Sequence, residues 1–202
     1  MNTILREGDT AFLMSFDEQS KLLAPPESSR AALDAGLAKL TAPGSSSNGT
    51  ALFDAIGEAA QLAQPILGRK AIVILSDGFD TASAAPIGDV ITAAQRANLA
   101  IFPIRFYDLK VFAFQIESPA WNNLRAGKRT LERLAKDTGG GFYEIAAKRS
   151  LDENFTRMAA ELRQQYSLGF VPASGSGYRK LRVNVRRRGL NVQARDGYFA
   201  TE

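Results

Sequence analysis

The sequence predicts an α/β fold built on a mostly parallel sheet, and three observations carry that prediction. Strand-like and helix-like runs alternate as far as about residue 165. Residues 71–75 (Ala-Ile-Val-Ile-Leu) are apolar without alternation, the pattern of a strand covered on both faces of a parallel sheet. The two sharpest loop signals are Asn48-Gly49-Thr50, before a helix, and Ser76-Asp77-Gly78, after a strand. They fall where α/β sheets gather ligand-binding loops.

The elements follow in order. Residues 10–16 read as a buried strand, with 21–24 as a short partner closed by Pro25-Pro26. Ser28 or Ser29 caps a helix carrying Leu33, Leu37 and Leu40 at helical spacing. Residues 43–49, rich in Gly and Ser, form a loop. Thr50 caps the next helix, which sets Leu52, Ile56, Ala59, Ala60 and Ala63 on one face. Strand 71–75 is followed by a helix with Ile87, Val90, Ile91, Ala94 and Ala97 on one face, then by strand 100–106. Pro103 lacks an N–H, so that strand must carry a gap or bulge in its ladder. Residues 108–127 break the alternation and read as an inserted loop or hairpin. A helix around Leu131, Leu134 and Ala135 ends at Gly139-Gly140-Gly141, a short strand covers 142–145, and a last helix carries Leu151, Phe155, Met158 and Leu162.

After residue 165 the pattern changes to three strand-like runs without helices: 166–171, 178–187 and 190–199. The second places Leu181, Val183 and Val185 on one face and Arg182, Asn184 and Arg186 on the other. An antiparallel hairpin of 178–187 and 190–198 turning at Arg188-Gly189 is expected, with a free edge open to pairing.

Composition excludes several chemistries. The chain has no histidine and no cysteine. That removes Ser-His-Asp and Cys-His catalysis, histidine-based zinc sites and disulfides. No apolar run approaches the ~20 residues of a membrane span. The net charge is +4, with Arg179, Lys180, Arg182, Arg186, Arg187, Arg188 and Arg195 crowded into the tail. Such a cluster suits nucleic acid or an anionic surface, but is more commonly the solvated face of a strand pair. No recognised nucleic-acid motif accompanies it, so no nucleic-acid partner is expected. Gly139-Gly140-Gly141 follows a helix and precedes a strand, the reverse of a phosphate-binding loop.

The residues with chemistry to offer are Thr50 and Asp77. A hydroxyl and a carboxylate are hard oxygen donors suited to magnesium. Taken alone, each also has an ordinary reading: Thr50 as a helix cap and Asp77-Gly78 as a turn.

Residues 48–56 (Asn-Gly-Thr-Ala-Leu-Phe-Asp-Ala-Ile) followed by 68–81 (Gly-Arg-Lys-Ala-Ile-Val-Ile-Leu-Ser-Asp-Gly-Phe-Asp-Thr) closely resemble the centre of a von Willebrand factor A (VWA) domain. Gly8-Asp9 through Phe16-Asp17 resembles that family's second strand. The tail, with Tyr166-Ser167-Leu168-Gly169-Phe170 and Ala194-Arg195-Asp196-Gly197-Tyr198-Phe199, resembles the end of VWFA-related bacterial proteins. The resemblance implies a Rossmann-like fold and a protein-binding or adhesion module, not an enzyme. It implies a metal-ion-dependent adhesion site (MIDAS) for Mg2+, with Thr50 and Asp77 at the matching positions. It also implies an exported or cell-surface setting.

The departure from the family is specific. Its site begins with Asp-x-Ser-x-Ser at the end of a central first strand, and this chain has none; Asp80-Thr81-Ala82-Ser83 follows the second loop instead. The expectation is a truncated VWA domain over 1–165 and a C-terminal β extension over 166–202. Strands 10–16 and 71–75 should flank the place of the absent strand, leaving a gap or closing in a pairing foreign to the family. Mg2+ should bind weakly or not at all. The alternatives are a metal-free structural or interaction remnant and, behind it, a nucleic-acid binder through the basic hairpin.

Overall fold

The computed structural model describes residues 5–6, 8–26, 29–40, 49–106, 119–145, 150–172 and 174–200, with side chains from residue 124 onward in the helix that begins at Pro119. It is a mixed α/β architecture with a parallel three-stranded sheet and a separate antiparallel hairpin.

β1 (Leu13–Phe16) and β2 (Ser20–Ala24) form an antiparallel ribbon. Asp17 makes the reversal, its carboxylate accepting the Gln19 N–H at 3.0 Å. α1 (Arg30–Ala38) packs on the ribbon and is capped by Ser29, whose hydroxyl accepts the Ala32 N–H. The sheet consists of β3 (Lys70–Ser76), β4 (Leu99–Arg105) and β5 (Tyr143–Glu144), all parallel, in the order β3-β4-β5.

Helices cover both faces. α2 (Leu52–Ala63), α3 (Ile87–Arg96) and α4 (Pro119–Thr138) lie on one. Their Leu52, Ile56, Val90, Leu131 and Leu134 pack with Ile74 and Ile101 in the main core. α5 (Leu151–Arg163) lies on the other, where Met158 meets Phe102, Ile104 and Tyr143. Each fully buried aliphatic side chain contributes about 1.5–3 kcal/mol. The turn from α4 to β5 needs glycine at residue 140, because a Cβ there would lie 1.8 Å from the Ile101 carbonyl oxygen.

Residues 10–16 form no ladder with the parallel sheet: among the described residues β1 pairs with β2 alone, so of the two expected outcomes the gap is the one found, with Phe16 still packed on the core that holds Ile74. Three expectations are corrected. β3 is not covered on both faces. Ile74 is buried, but Ala71, Val73 and Leu75 are exposed, because α5 reaches only the β4–β5 side. Residues 119–127 are neither loop nor hairpin but the first half of α4, which starts at a proline, a residue preorganised for that position. Residues 108–118 lie outside the described residues.

The tail is the third correction. β6 (Gly177–Lys180) and β7 (Gly197–Ala200) pair antiparallel, and the Leu181 N–H to Asp196 carbonyl bond extends the register by one position. The turn falls at Arg188-Gly189 as expected, with Gly189 at φ +80. Residues 181–185, 190–196 and 166–171 form no strand. Nothing buries their alternate faces: Val183, Val185, Leu190 and Val192 are all exposed. The hairpin base docks on the body, where Arg96 lies over the Phe199 ring and the Asp196 N–H donates to the Asp137 carbonyl.

The Pro103 expectation resolves without a bulge. The β3–β4 register runs unshifted from Lys70↔Leu99 to Ser76↔Arg105. The Phe106 N–H donates to Ser76 and the Ile145 N–H to Arg105. By alternation, even-numbered β4 residues face β3 and odd-numbered ones face β5. The missing Pro103 donor therefore faces the β5 side, just before that strand begins.

Candidate functional site

The two loops expected to carry the chemistry do meet, at the carboxyl end of β3. The Thr50 N–H donates to Thr81 Oγ1 at 2.9 Å. The Thr50 carbonyl accepts the N–H groups of Thr81 (2.9 Å) and Ala82 (3.1 Å). These are backbone groups of Thr50. Its side chain does not cap α2: the N-cap is Ala51, which makes no side-chain cap bond.

The cap comes from the second loop. Ser83 Oγ accepts the Phe53 N–H at 3.0 Å and the Asp54 N–H at 3.1 Å, and Asp80 Oδ1 accepts the Phe53 N–H at 3.1 Å. Ser83 in turn donates its hydroxyl proton to Asp80. The favour is returned by Asp54, whose two oxygens accept the N–H groups of Ala84 and Ala85 at 2.9 and 3.0 Å. The helix N-terminus, with its unpaired N–H groups and positive dipole end, accounts for this clustering of acidic oxygens.

Asp77 sits between β3 and this interlocked loop. Its Oδ1 accepts the Phe79 N–H at 3.0 Å and Ser76 Oγ accepts the Gly78 N–H at 3.0 Å, so the segment is a side-chain-closed turn. Gly78 has φ +88, and a Cβ on it would lie 2.2 Å from the Gly127 carbonyl oxygen of α4. The Asp77 backbone is thus clamped against α4.

This geometry bears on a metal. Magnesium needs near-octahedral oxygen ligation and gives up water reluctantly. Among the acidic and hydroxyl groups of the two loops, Asp54, Asp80, Ser83, Ser76 and Thr81 accept backbone N–H groups, and Asp77 uses one oxygen on its own turn. No cluster of three acidic or other metal-ligating side chains is found among the described residues. The donor set offered by Thr50 and Asp77 alone does not fit a complete magnesium site.

Sequence reasoning missed a second polar cluster at the same end of the sheet. Arg105, 3% exposed, closes β4 and pairs with Glu144 at the end of β5. Its Nη2 also donates to the Leu124 carbonyl of α4 at 2.7 Å, and Lys128 reaches Glu144 at 3.2 Å. Burial pulls the Glu144 carboxyl upward, but the hydrogen bonds from Arg105 and Lys128 outweigh it and hold the group below the usual carboxylate range. The available signal was a charged residue ending each of two otherwise apolar strands.

No family model matches the chain, and no curated protein matches it. Similarity appears among solved structures. An aerotolerance-related membrane protein from Bacteroides fragilis, crystallised with multiple mutations to serines, aligns with a TM-score of 0.53 at 16% identity. The alignment covers 77% of this chain and 81% of that one. An uncharacterized membrane-spanning protein from Vibrio fischeri aligns at 20% identity over 79% of this chain and 75% of that one, with a TM-score of only 0.29. The first likeness supports the α/β fold. In this chain no described helix is long and apolar enough to cross a membrane.

Proposed function

We propose that the chain is a VWA-type protein-binding module, of the VWFA-related bacterial kind, with an incomplete metal-ion-dependent adhesion site, and that it is not an enzyme. The observation that carries this reading is the joining of the Thr50 loop to the loop after β3 through Thr50 and Thr81. It brings the two family-matched segments to one edge of the sheet. The α/β likeness to the Bacteroides fragilis structure supports it. An exported or cell-surface setting belongs to the same proposal.

In a complete site of this type a bound magnesium supplies a Lewis-acidic position for a partner's carboxylate. Here Thr50 would offer a neutral oxygen and Asp77 a single charge. The engagement of Asp54, Asp80 and Ser83 with backbone N–H groups favours a site that binds Mg2+ weakly or not at all. Partner recognition then rests on the protein surface around this edge.

The genomic sequence upstream of the Met1 codon tests the assignment. An in-frame apolar strand ending in Asp-x-Ser-x-Ser is the expected result, and in the lengthened protein Mg2+ binding should depend on Asp77. An in-frame stop codon with no such strand, together with salt-sensitive binding of a generic oligonucleotide, would overturn it in favour of the basic hairpin as the functional surface.

A further inference from the structure

We infer that the projecting end of the C-terminal hairpin, residues 182–193, is a docking surface for an anionic phospholipid membrane. This goes beyond the adhesion-site reading and stands without it.

The positive charge is local. Residues 177–195 hold seven Lys and Arg and no Asp or Glu, in a chain of net charge +4, so the remainder is net acidic. Two of the seven fasten the base of the hairpin: Arg179 donates to the Ser174 and Gly175 carbonyls, and Arg195 donates to Asn98 Oδ1. Arg182, Arg186, Arg187 and Arg188 lie beyond that base, where every residue from 182 to 193 is exposed. Gly189, at φ +80, turns the chain and leaves the three consecutive arginines at the tip. The hairpin seats on Arg96 and Asn98 at the end of α3 and on Asp137 and Gly139 at the end of α4. These contacts lie at the amino end of β4, so the open side of β3 has no part in exposing the tip.

The apolar side chains separate this hairpin from an ordinary solvated strand pair. An antiparallel pair in a folded domain puts its charged face in water and its apolar face on a core. Here Val183, Val185, Leu190 and Val192 are 36%, 46%, 55% and 37% exposed, interleaved in sequence with the arginines. A surface that covers this hairpin must accept aliphatic side chains and guanidinium groups together. The boundary of an anionic bilayer does so: aliphatic side chains enter the acyl edge while arginines snorkel to the lipid phosphates. Clustered basic residues are also drawn to its negative surface potential. Nucleic acid fits less well. Residues 179–197 contain no aromatic side chain, so bases have nothing to stack on. The valines and leucine would gain nothing from a phosphate backbone.

Co-sedimentation with vesicles tests this on the whole chain. Vesicles of phosphatidylcholine mixed with phosphatidylglycerol should bind it, pure phosphatidylcholine should not, and added salt should release it. Changing Arg186, Arg187 and Arg188 together to Gln should weaken binding roughly a hundredfold. Val183→Ser with Val185→Ser should weaken it about tenfold through lost apolar burial. Circular dichroism checks that both variants fold. No binding to the mixed vesicles overturns the proposal, as does binding that the arginine variant retains in full. A valine variant that binds vesicles like the parent also overturns it, because the apolar side chains would then have no part in the contact. So does tighter binding of a single-stranded oligonucleotide than of the vesicles, which would assign the arginines to nucleic acid.

Discussion

Thr50 and Thr81 are bonded to each other in both directions: the Thr50 N–H donates to the Thr81 hydroxyl, and the Thr81 N–H donates to the Thr50 carbonyl, each at 2.9 Å. The pair locks the loop before α2 to the loop after β3 without using the Thr50 side chain. Thr50→Ala should therefore change stability by less than about 0.5 kcal/mol, as for a surface substitution. Thr81→Val leaves the Thr50 N–H without its acceptor and should cost about 1 kcal/mol or more. Urea denaturation of the two variants checks the asymmetry; equal losses would place the Thr50 hydroxyl in a structural role.

Ser83 caps α2 from a distance of thirty residues in sequence, taking the N–H groups of both Phe53 and Asp54. Ser83→Ala should cost about 0.5–2 kcal/mol, the range for lost N-caps. The loss should be non-additive with Asp80→Ala, because Ser83 and Asp80 share a hydrogen bond and the Phe53 N–H. A double-mutant cycle by thermal denaturation reads the coupling.

Gly78→Ala should be among the most damaging single changes. Its Cβ would meet the Gly127 carbonyl at 2.2 Å, and its φ of +88 disfavours any side chain. We expect a loss above about 3 kcal/mol, read as a fallen melting temperature, whereas Gly88→Ala, which meets nothing within 4 Å, should be neutral or slightly stabilising.

Glu144 links stability to pH. Its folded pKa lies below the ordinary carboxylate value, so its contribution is fully present above that ordinary value and is lost as pH falls through the lowered one. Glu144→Gln should lower stability at neutral pH by about 1.5–3 kcal/mol, as for a charge-assisted bond. It should also flatten the acid limb of the stability profile. A variant with the same acid limb as the parent would count against the Arg105–Glu144–Lys128 cluster as its source.

Where sequence pattern and burial coincide, the fold was legible. Val90, Ile91 and Ala94 at helical spacing lie inside the core, and the apolar β4 run is buried except at half-buried Ala100. The pattern failed where it depends on a neighbour. Val183 and Val185 alternate as a strand should, yet lack a face to cover them, and Val73 and Leu75 form an unbroken apolar run on a face left open. The first half of α4 was hidden because Gly127 interrupts its helical stripe between Leu124 and Leu131, for a reason visible only in three dimensions: its contact with Gly78. Thr50 and Asp77 could be named from the sequence, but the engagement of Asp54, Asp80 and Ser83 with each other's loops could not, since it joins positions some thirty residues apart.

Isothermal titration calorimetry with Mg2+ tests the central claim of an incomplete adhesion site most directly. The chain should show no saturable binding at millimolar magnesium, and Asp77→Ala should alter its stability more than its response to metal. Tight binding that Asp77→Ala abolishes would contradict the account, and would mean that Asp80 or Asp54 leaves its backbone partners to complete the site.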